Sequence, residues 1–161
     1  MGTITDYREA RTPLPKTYQA WQIFGAGFEN VGKDGQPSTL ELRPPKDNEI
    51  LLRVDALGLC LSDIKIIRQG SAHPRLRGRD LSTDPTVLGH ECSVTVVAVG
   101  KQWQDMFKIG ERYIVQADIY YDGLSFAFGY MIPGGLAQYS YLDERALAGD
   151  EGCYLLPVRD E

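Results

Sequence analysis

The chain has 161 residues, of which 43% are hydrophobic and 24% charged, a composition typical of a globular domain with its own core. Its formal net charge of −5 argues against electrostatic binding to nucleic acid or anionic lipid, so we expect neither partner. Three cysteines are too few for a disulfide framework, and no apolar stretch approaches the roughly 18 residues that cross a bilayer. We therefore expect a cytoplasmic protein.

Short strands separated by turns run through most of the sequence. Residues 1–15 are polar and proline-containing, so we predict a flexible N-terminal arm. Within residues 50–57, apolar residues at alternate positions predict a half-buried strand. Branched and aromatic residues predict further strands over 18–24, 94–99, 112–116 and 136–142.

The only helix that the pattern supports is short. It is predicted over 64–69, with Ser62 or Asp63 as its N-cap and Gly70 closing it. A long polar loop is predicted over 71–86. Many short strands with few helical turns favour a barrel or sandwich, so the predicted fold is mainly β.

Three side chains suited to a metal ion lie at predicted strand ends. His90 stands beside Glu91, and Cys60 lies at a strand-to-helix junction where a helix N-terminus stabilises a thiolate. Imidazole, carboxylate and thiolate form a donor set that suits zinc. Taken alone, however, Cys60 is also explained as a core residue, and the Gly-His-Glu run as a turn before a strand. In a regular strand Glu91 would face away from His90, unless a bend precedes the strand. Cys92 and Cys153 are predicted to pack in the core.

Five motifs in a fixed order strengthen the metal interpretation. They are Gly58-Leu59-Cys60-Leu61-Ser62-Asp63, Gly89-His90-Glu91, Val99-Gly100, Gly110-Glu111-Arg112 and Gly134-Gly135-Leu136-Ala137-Gln138-Tyr139. Together they resemble the catalytic domain of the zinc-dependent medium-chain dehydrogenase/reductase family, which includes the alcohol and sorbitol dehydrogenases. Further runs, at 116–123 and 128–130, are similar to the subgroup of L-sorbose 1-phosphate reductases.

The resemblance implies a fold and a missing cofactor domain. Residues 16–161 would form a GroES-like β-barrel with a few short helices. A Rossmann domain that binds NAD or NADP follows the barrel in this family, and we expect it to be absent from this chain. An alcohol, polyol or sugar-phosphate substrate and a homo-oligomeric full-length protein are also implied.

The resemblance further assigns roles to five residues. Cys60 and His90 match zinc ligands, and Glu91 matches a carboxylate beside the metal. Ser62 matches the catalytic hydroxyl that takes the substrate proton, and Asp63 matches a residue that orients the site. The family's next ligand follows the point where this chain stops, so we expect an incomplete zinc site and an inactive isolated chain.

The sequence also departs from the family pattern. Lys65 stands where many members have a histidine that relays protons, and Val94 replaces a glycine. Three arginines in the 71–86 loop are either a solvated charged surface or a phosphate clamp; they are Arg75, Arg77 and Arg79.

Two rival functions are weighed against the dehydrogenase. A non-catalytic GroES-like barrel could serve as an interaction module, but it would have no need for both Cys60 and His90. The zinc-free quinone reductase branch lacks the cysteine and the His-Glu pair, whereas this chain has both.

Overall fold

The structure is a computed structural model that describes residues 3–158. In chain order its strands are β1 (Thr17–Ala20), β2 (Gln22–Ile23), β3 (Ser38–Glu41), β4 (Glu49–Gly58), β5 (Thr86–Val87), β6 (Glu91–Val99), β7 (Arg112–Val115), β8 (Tyr120–Tyr121), β9 (Leu124–Ser125), β10 (Tyr139–Asp143) and β11 (Leu155–Pro157). The α-helices in the same range are α1 (Ile4–Arg8), α2 (Leu61–Gln69) and α3 (Glu144–Leu147). The prediction of a mainly β fold with short helices is confirmed.

A five-stranded antiparallel sheet forms the centre of the fold, in the order β10-β4-β6-β7-β11. Three two-stranded pairs surround it: β1 with β3, β2 with β5, and β8 with β9. No βαβ unit occurs between residues 3 and 158. No helix in that range is long and apolar enough to cross a bilayer.

The central strands β4 and β6 carry much of the core. Val94 is fully buried and pairs with Val54 on one side and Tyr113 on the other, so the strand accommodates a side chain where the family has glycine. The predicted half-burial of β4 is wrong in its first half, because Leu51 is as completely buried as Leu52. A central strand covered on both faces reads as a continuous apolar run rather than an alternation.

Helix α2 is longer than predicted and begins earlier. Its N-cap is Cys60, not Ser62 or Asp63, because the Asp63 carboxylate accepts a hydrogen bond from the Cys60 backbone N–H at 3.0 Å. Gly70 closes the helix as predicted, with φ +55°, and a Cβ there would lie 2.5 Å from the Ala26 nitrogen. The predicted loop over 71–86 contains two 3₁₀ segments and ends in β5.

The predicted arm, residues 1–15, contains helix α1 and contacts the central sheet. The Arg53 guanidinium lies 3.6 Å from the Tyr7 ring centre and donates a hydrogen bond to the Tyr7 carbonyl. Arg53 is itself buried and donates to Asp55 at 2.8 Å. Tyr7 of this segment therefore contacts Arg53 of the central sheet, and the flexibility of the segment stays a prediction.

The two cysteines predicted for the core have different environments. Cys92 is buried, which raises the pKa of its thiol to about 12. Cys153 is exposed, so that prediction is wrong. It lies between the Gly149–Gly152 turn and the buried Tyr154, where the next residue along the chain fills the core instead.

Candidate metal centre

The ends of two neighbouring strands bring the candidate ligands together. Gly58 at the end of β4 pairs with Glu91 at the start of β6, so the residues that flank this pair are also neighbours. Cys60 follows β4 and His90 precedes β6. The ligand atoms of Cys60, His90 and Glu91 all lie within 4.8 Å of one another. Residues 30 positions apart in the sequence therefore form one cluster.

A bend at Gly89 lets both His90 and Glu91 face the cluster. Gly89 has φ +88°, a conformation that favours glycine, and its carbonyl accepts a hydrogen bond from Gly135 N–H at 2.7 Å. A Cβ at Gly134 would lie 2.3 Å from the Gly89 oxygen. The Gly134-Gly135 motif thus lets its backbone approach that of Gly89 closely and stabilises the bend there. The sequence pattern had not decided whether this bend exists.

Asp63 connects the two halves of the cluster. Its carboxylate, only 6% exposed, accepts hydrogen bonds from Cys60 N–H at 3.0 Å and from Gly89 N–H at 3.2 Å. Burial by itself raises the pKa of Asp63, but His90 and these two N–H groups together hold it below its ordinary value. A buried anion therefore links the start of α2 to the loop that carries His90.

His90 is oriented by contacts at both ring nitrogens. Nδ1 lies 3.4 Å from Asp63 Oδ1, a distance within ion-pair range but without hydrogen-bond geometry, and Nε2 lies 3.2 Å from Ser62 Oγ. The Asp63 carboxylate raises the pKa of His90 to about 9, against the opposing effect of burial. When the imidazolium loses its Nε2 proton on binding a metal, the proton kept on Nδ1 faces Asp63 and Nε2 is the ligand atom.

The surroundings of Cys60 lower the pKa of its thiol. The Ser62 side chain and backbone, followed by the His90 imidazole, hold the pKa of Cys60 below its usual value of 9.0. The thiol is partly exposed at the N-terminus of α2, an environment that favours a thiolate. A thiolate is the form that ligates zinc.

These residues fit a zinc ion by the chemistry of their donors. Sulfur, imidazole nitrogen and carboxylate oxygen are the three donor types of catalytic zinc sites, which keep a fourth position for water or substrate. The carboxylate behind the histidine is the arrangement that fixes a ligating imidazole. Zinc ligation by Cys60, His90 and Glu91 remains a proposal that this donor set supports.

Apolar and aromatic side chains form the rim of the cluster. Leu59 and Leu61, on either side of Cys60, are 77% and 70% exposed. The buried Tyr130 places its ring centre 6.0 Å from that of His90. Sequence reasoning gave Tyr130 no role, although the Gly129-Tyr130 pair belongs to a run that resembles one subgroup of the family.

The three-arginine clamp considered from sequence is contradicted at one position. Arg79 is nearly buried, and its guanidinium donates to the carbonyls of Asp84, Pro85, Tyr130 and Met131 as well as to the Asp84 carboxylate. All its donors face this chain, so Arg79 supports the Tyr130 backbone and is not available to a ligand. Arg75 and Arg77 are exposed.

Comparison with known proteins identifies the family. The alcohol dehydrogenase GroES-like domain matches residues 46–149, more than half of the chain. The chain belongs to the alcohol dehydrogenase GroES-like domain family. The expectation of a GroES-like fold is confirmed. The NAD complex of acetophenone reductase from Geotrichum candidum has a similar fold, with a TM-score of 0.66 and 23% identity over 92% of this chain and 42% of that one.

The names of two curated relatives of this domain refer to phosphorylated compounds. L-sorbose 1-phosphate reductase from Klebsiella pneumoniae is 36% identical over 120 residues, which is 73% of this chain and 29% of that protein. Mannitol-1-phosphate 5-dehydrogenase from Aliivibrio fischeri is 33% identical over 124 residues, 76% of this chain and 29% of that protein. The chain therefore spans less than a third of the length of these relatives.

Proposed function

We propose that this domain supplies the zinc-binding half of an NAD(P)-linked dehydrogenase or reductase that acts on an alcohol or polyol. The observation that carries the proposal is the convergence of Cys60, His90 and Glu91 within 4.8 Å. Ser62 adds a hydroxyl 3.2 Å from His90. An interaction module would need no such donor set, so we favour the enzyme.

The chain's own residues would prepare the site and move the proton. Asp63 holds the His90 imidazole and the start of α2, which keeps the donors converged. Ser62 would accept the hydroxyl proton of an alcohol while it passes its own proton on to solvent, and the same relay would run in reverse towards a ketone oxygen. When bound, zinc supplies a Lewis acid that polarises the substrate oxygen. The nicotinamide would be held by a cofactor domain outside this chain, and hydride would pass between it and the substrate carbon.

A ketose phosphate is the substrate class that we propose in finer detail. The names of two relatives support it, since one is a reductase of L-sorbose 1-phosphate and the other a dehydrogenase of mannitol 1-phosphate. In the reducing direction a phosphorylated ketose would become the corresponding phosphorylated polyol, with one hydride from the nicotinamide and one proton from the site.

Zinc stoichiometry tests the metal assignment directly. We expect about one equivalent of zinc per full-length protein after dialysis, measured by elemental analysis, and loss of that zinc in Cys60→Ser and His90→Ala. Cys153→Ser is the matched control, because this thiol is exposed and is not one of the three clustered donors. Zinc that is retained in both Cys60→Ser and His90→Ala would refute the proposed site, and so would zinc lost in Cys153→Ser.

Turnover tests the role of Ser62 separately. In Ser62→Ala we expect zinc content to persist while kcat for ketose reduction falls by about a hundredfold, the usual effect of removing a proton-transfer group. NADH or NADPH oxidation in the full-length protein gives the rate. An unchanged kcat in Ser62→Ala would mean that the hydroxyl takes no part in proton transfer and that Ser62 is only part of the first turn of α2.

A further inference from the structure

The segment that follows the cluster is strongly cationic in an acidic protein. Between Asp63 and Asp80 the chain has no carboxylate, but it has five cations: Lys65, Arg68, Arg75, Arg77 and Arg79. The chain as a whole carries −5. An excess of positive charge in one segment of an acidic protein favours an anionic ligand beside it, and Arg79 is set aside because its donors are already occupied.

Two of these cations can serve a ligand beside the cluster. Lys65 is exposed and has no acidic partner within 4.0 Å among residues 3–158. Arg75 pairs with Asp118 at 2.8 Å, but both side chains are about half exposed, at 43% and 51%. Exposed pairs of this kind contribute little to stability, so the Arg75 guanidinium can exchange Asp118 for a phosphate.

The positions of these cations relate them to the candidate metal centre. Lys65 follows Ser62 by three residues on α2, a spacing that puts both on one face of the helix. The Arg75 guanidinium carbon lies 5.5 Å from the Tyr130 ring centre, which is 6.0 Å from that of His90. The guanidinium carbon is therefore at most 11.5 Å from the His90 ring centre, the sum of those two distances.

His73 is next to Arg75 and packs near Tyr130. Its ring centre is 5.4 Å from that of Tyr130, and its Nδ1 accepts a hydrogen bond from the Arg75 backbone N–H at 3.2 Å. Burial, and then the positive charges of Arg75 and Lys65, lower the pKa of His73. Both cations thus influence the same imidazole on the rim of the cluster.

We propose that Lys65 and Arg75 form a subsite for the phosphate group of the substrate, with the Tyr130 ring as the wall between this subsite and the candidate metal centre. The inference rests on the proposed function and names the residues that select a phosphorylated substrate. Arginine binds phosphate oxygens with a two-pronged fork, and lysine adds a point charge. The Tyr130 ring is buried, so it separates the subsite from the candidate metal centre without itself contacting the substrate.

Substrate preference in the full-length protein tests the subsite. We expect Lys65→Met and Arg75→Met each to lower the ratio of kcat/KM for a ketose 1-phosphate to that for the unphosphorylated ketose by about 10- to 100-fold, because each removes one charge-assisted contact. Arg75→Lys should lose less, since it keeps the charge without the fork. Arg77→Met is the matched control and should leave the ratio unchanged. Equal ratios in wild type and both Met variants would overturn the proposal.

Binding of inorganic phosphate gives a readout that does not depend on turnover. In full-length protein freed of metal by a chelator, we expect titration calorimetry to detect phosphate binding that weakens at least tenfold in Arg75→Met and is retained in Arg77→Met. If the enzyme reduces unphosphorylated ketoses but wild type and Arg75→Met bind phosphate alike, the subsite is refuted and the proposed function stands. If phosphate binding depends on Arg75 but no zinc or turnover is found, the subsite stands and the proposed function falls.

Discussion

Replacing Asp63 with asparagine tests whether one buried carboxylate holds the candidate metal centre together. The carboxylate oxygens accept from the N–H groups of Cys60 and Gly89 and face His90 Nδ1, so every neighbour presents a donor. Asparagine has one oxygen, and its NH₂ group must point at one of these donors. The variant loses at least one charge-assisted hydrogen bond and gains a donor-to-donor contact. We expect the free energy of unfolding to fall by about 2–4 kcal/mol.

Urea unfolding with a chelator present measures this change without any contribution from a metal. Asp63→Asn should move the midpoint strongly with little change in slope. Asp80→Asn is the matched control: Asp80 accepts hydrogen bonds from its neighbour Ser82 but is exposed, so we expect a much smaller shift. Equal midpoints for the two variants would refute the inference that Asp63 joins α2 to the His90 loop.

The same substitution should weaken the metal site. An orienting carboxylate behind a ligating histidine usually contributes 10- to 100-fold to metal affinity, so we expect a loss of about that size in Asp63→Asn. Competition with a chromogenic chelator measures zinc affinity at a temperature where circular dichroism shows that the variant is folded. Unchanged affinity in a folded variant would mean that Asp63 stabilises the domain but does not orient His90.

Three further predictions concern the surroundings of the site. Arg79→Met should reduce the free energy of unfolding by about 2–4 kcal/mol, because it strips charged donors from carbonyls, whereas exposed Arg77→Met should change it by less than about 1 kcal/mol in urea unfolding. Gly100→Ala would bring a Cβ to 2.0 Å from the Lys46 oxygen, so we expect Tm to fall by about 5–10 °C and near-native Tm would contradict the packing. Because folding raises the pKa of His90 from 6.5 to about 9, protonated His90 should stabilise the fold fully below pH 6.5, and this stabilisation should be lost as the pH rises to about 9. With a chelator present, we compare the Tm of wild type and His90→Gln across this pH range. A difference in Tm that does not change with pH would exclude this effect.

The sequence placed three donor residues in one hypothesis but left their geometry open. Cys60, His90 and Glu91 were identified from donor chemistry and motif order, and the structure brings their ligand atoms together. The direction of Glu91 was open, because a strand pattern alternates faces and only the φ of Gly89 reverses that. The glycine in the Gly-His-Glu motif indicates that a bend is possible there. The Gly135 N–H that stabilises the bend, however, comes from a distant segment of the chain.

The elements that the sequence missed are mostly short strands, and some of them depend on distant partners. Strands β8 and β9 have two residues each, too few for a periodic signal. Strand β11 pairs with β7 across about 40 residues, and its pattern resembles an ordinary coil until that partner is known. Arg79 was misjudged for the same reason, since the carbonyls of Tyr130 and Met131 that occupy it lie some 50 residues away.

The candidate metal centre and the proposed phosphate subsite should respond differently to substitution. Asp63 is buried and bonded to two backbone segments, so any change there alters stability and metal affinity together. Lys65 and Arg75 are exposed and add little to the fold, so substrate preference can change without loss of stability. The proposed substrate preference would therefore be able to vary while the candidate metal centre stays intact. A survey of Lys65 and Arg75 variants should show specificity changing at nearly constant Tm, and a fall in Tm at either position comparable with that of Asp63→Asn would contradict this separation.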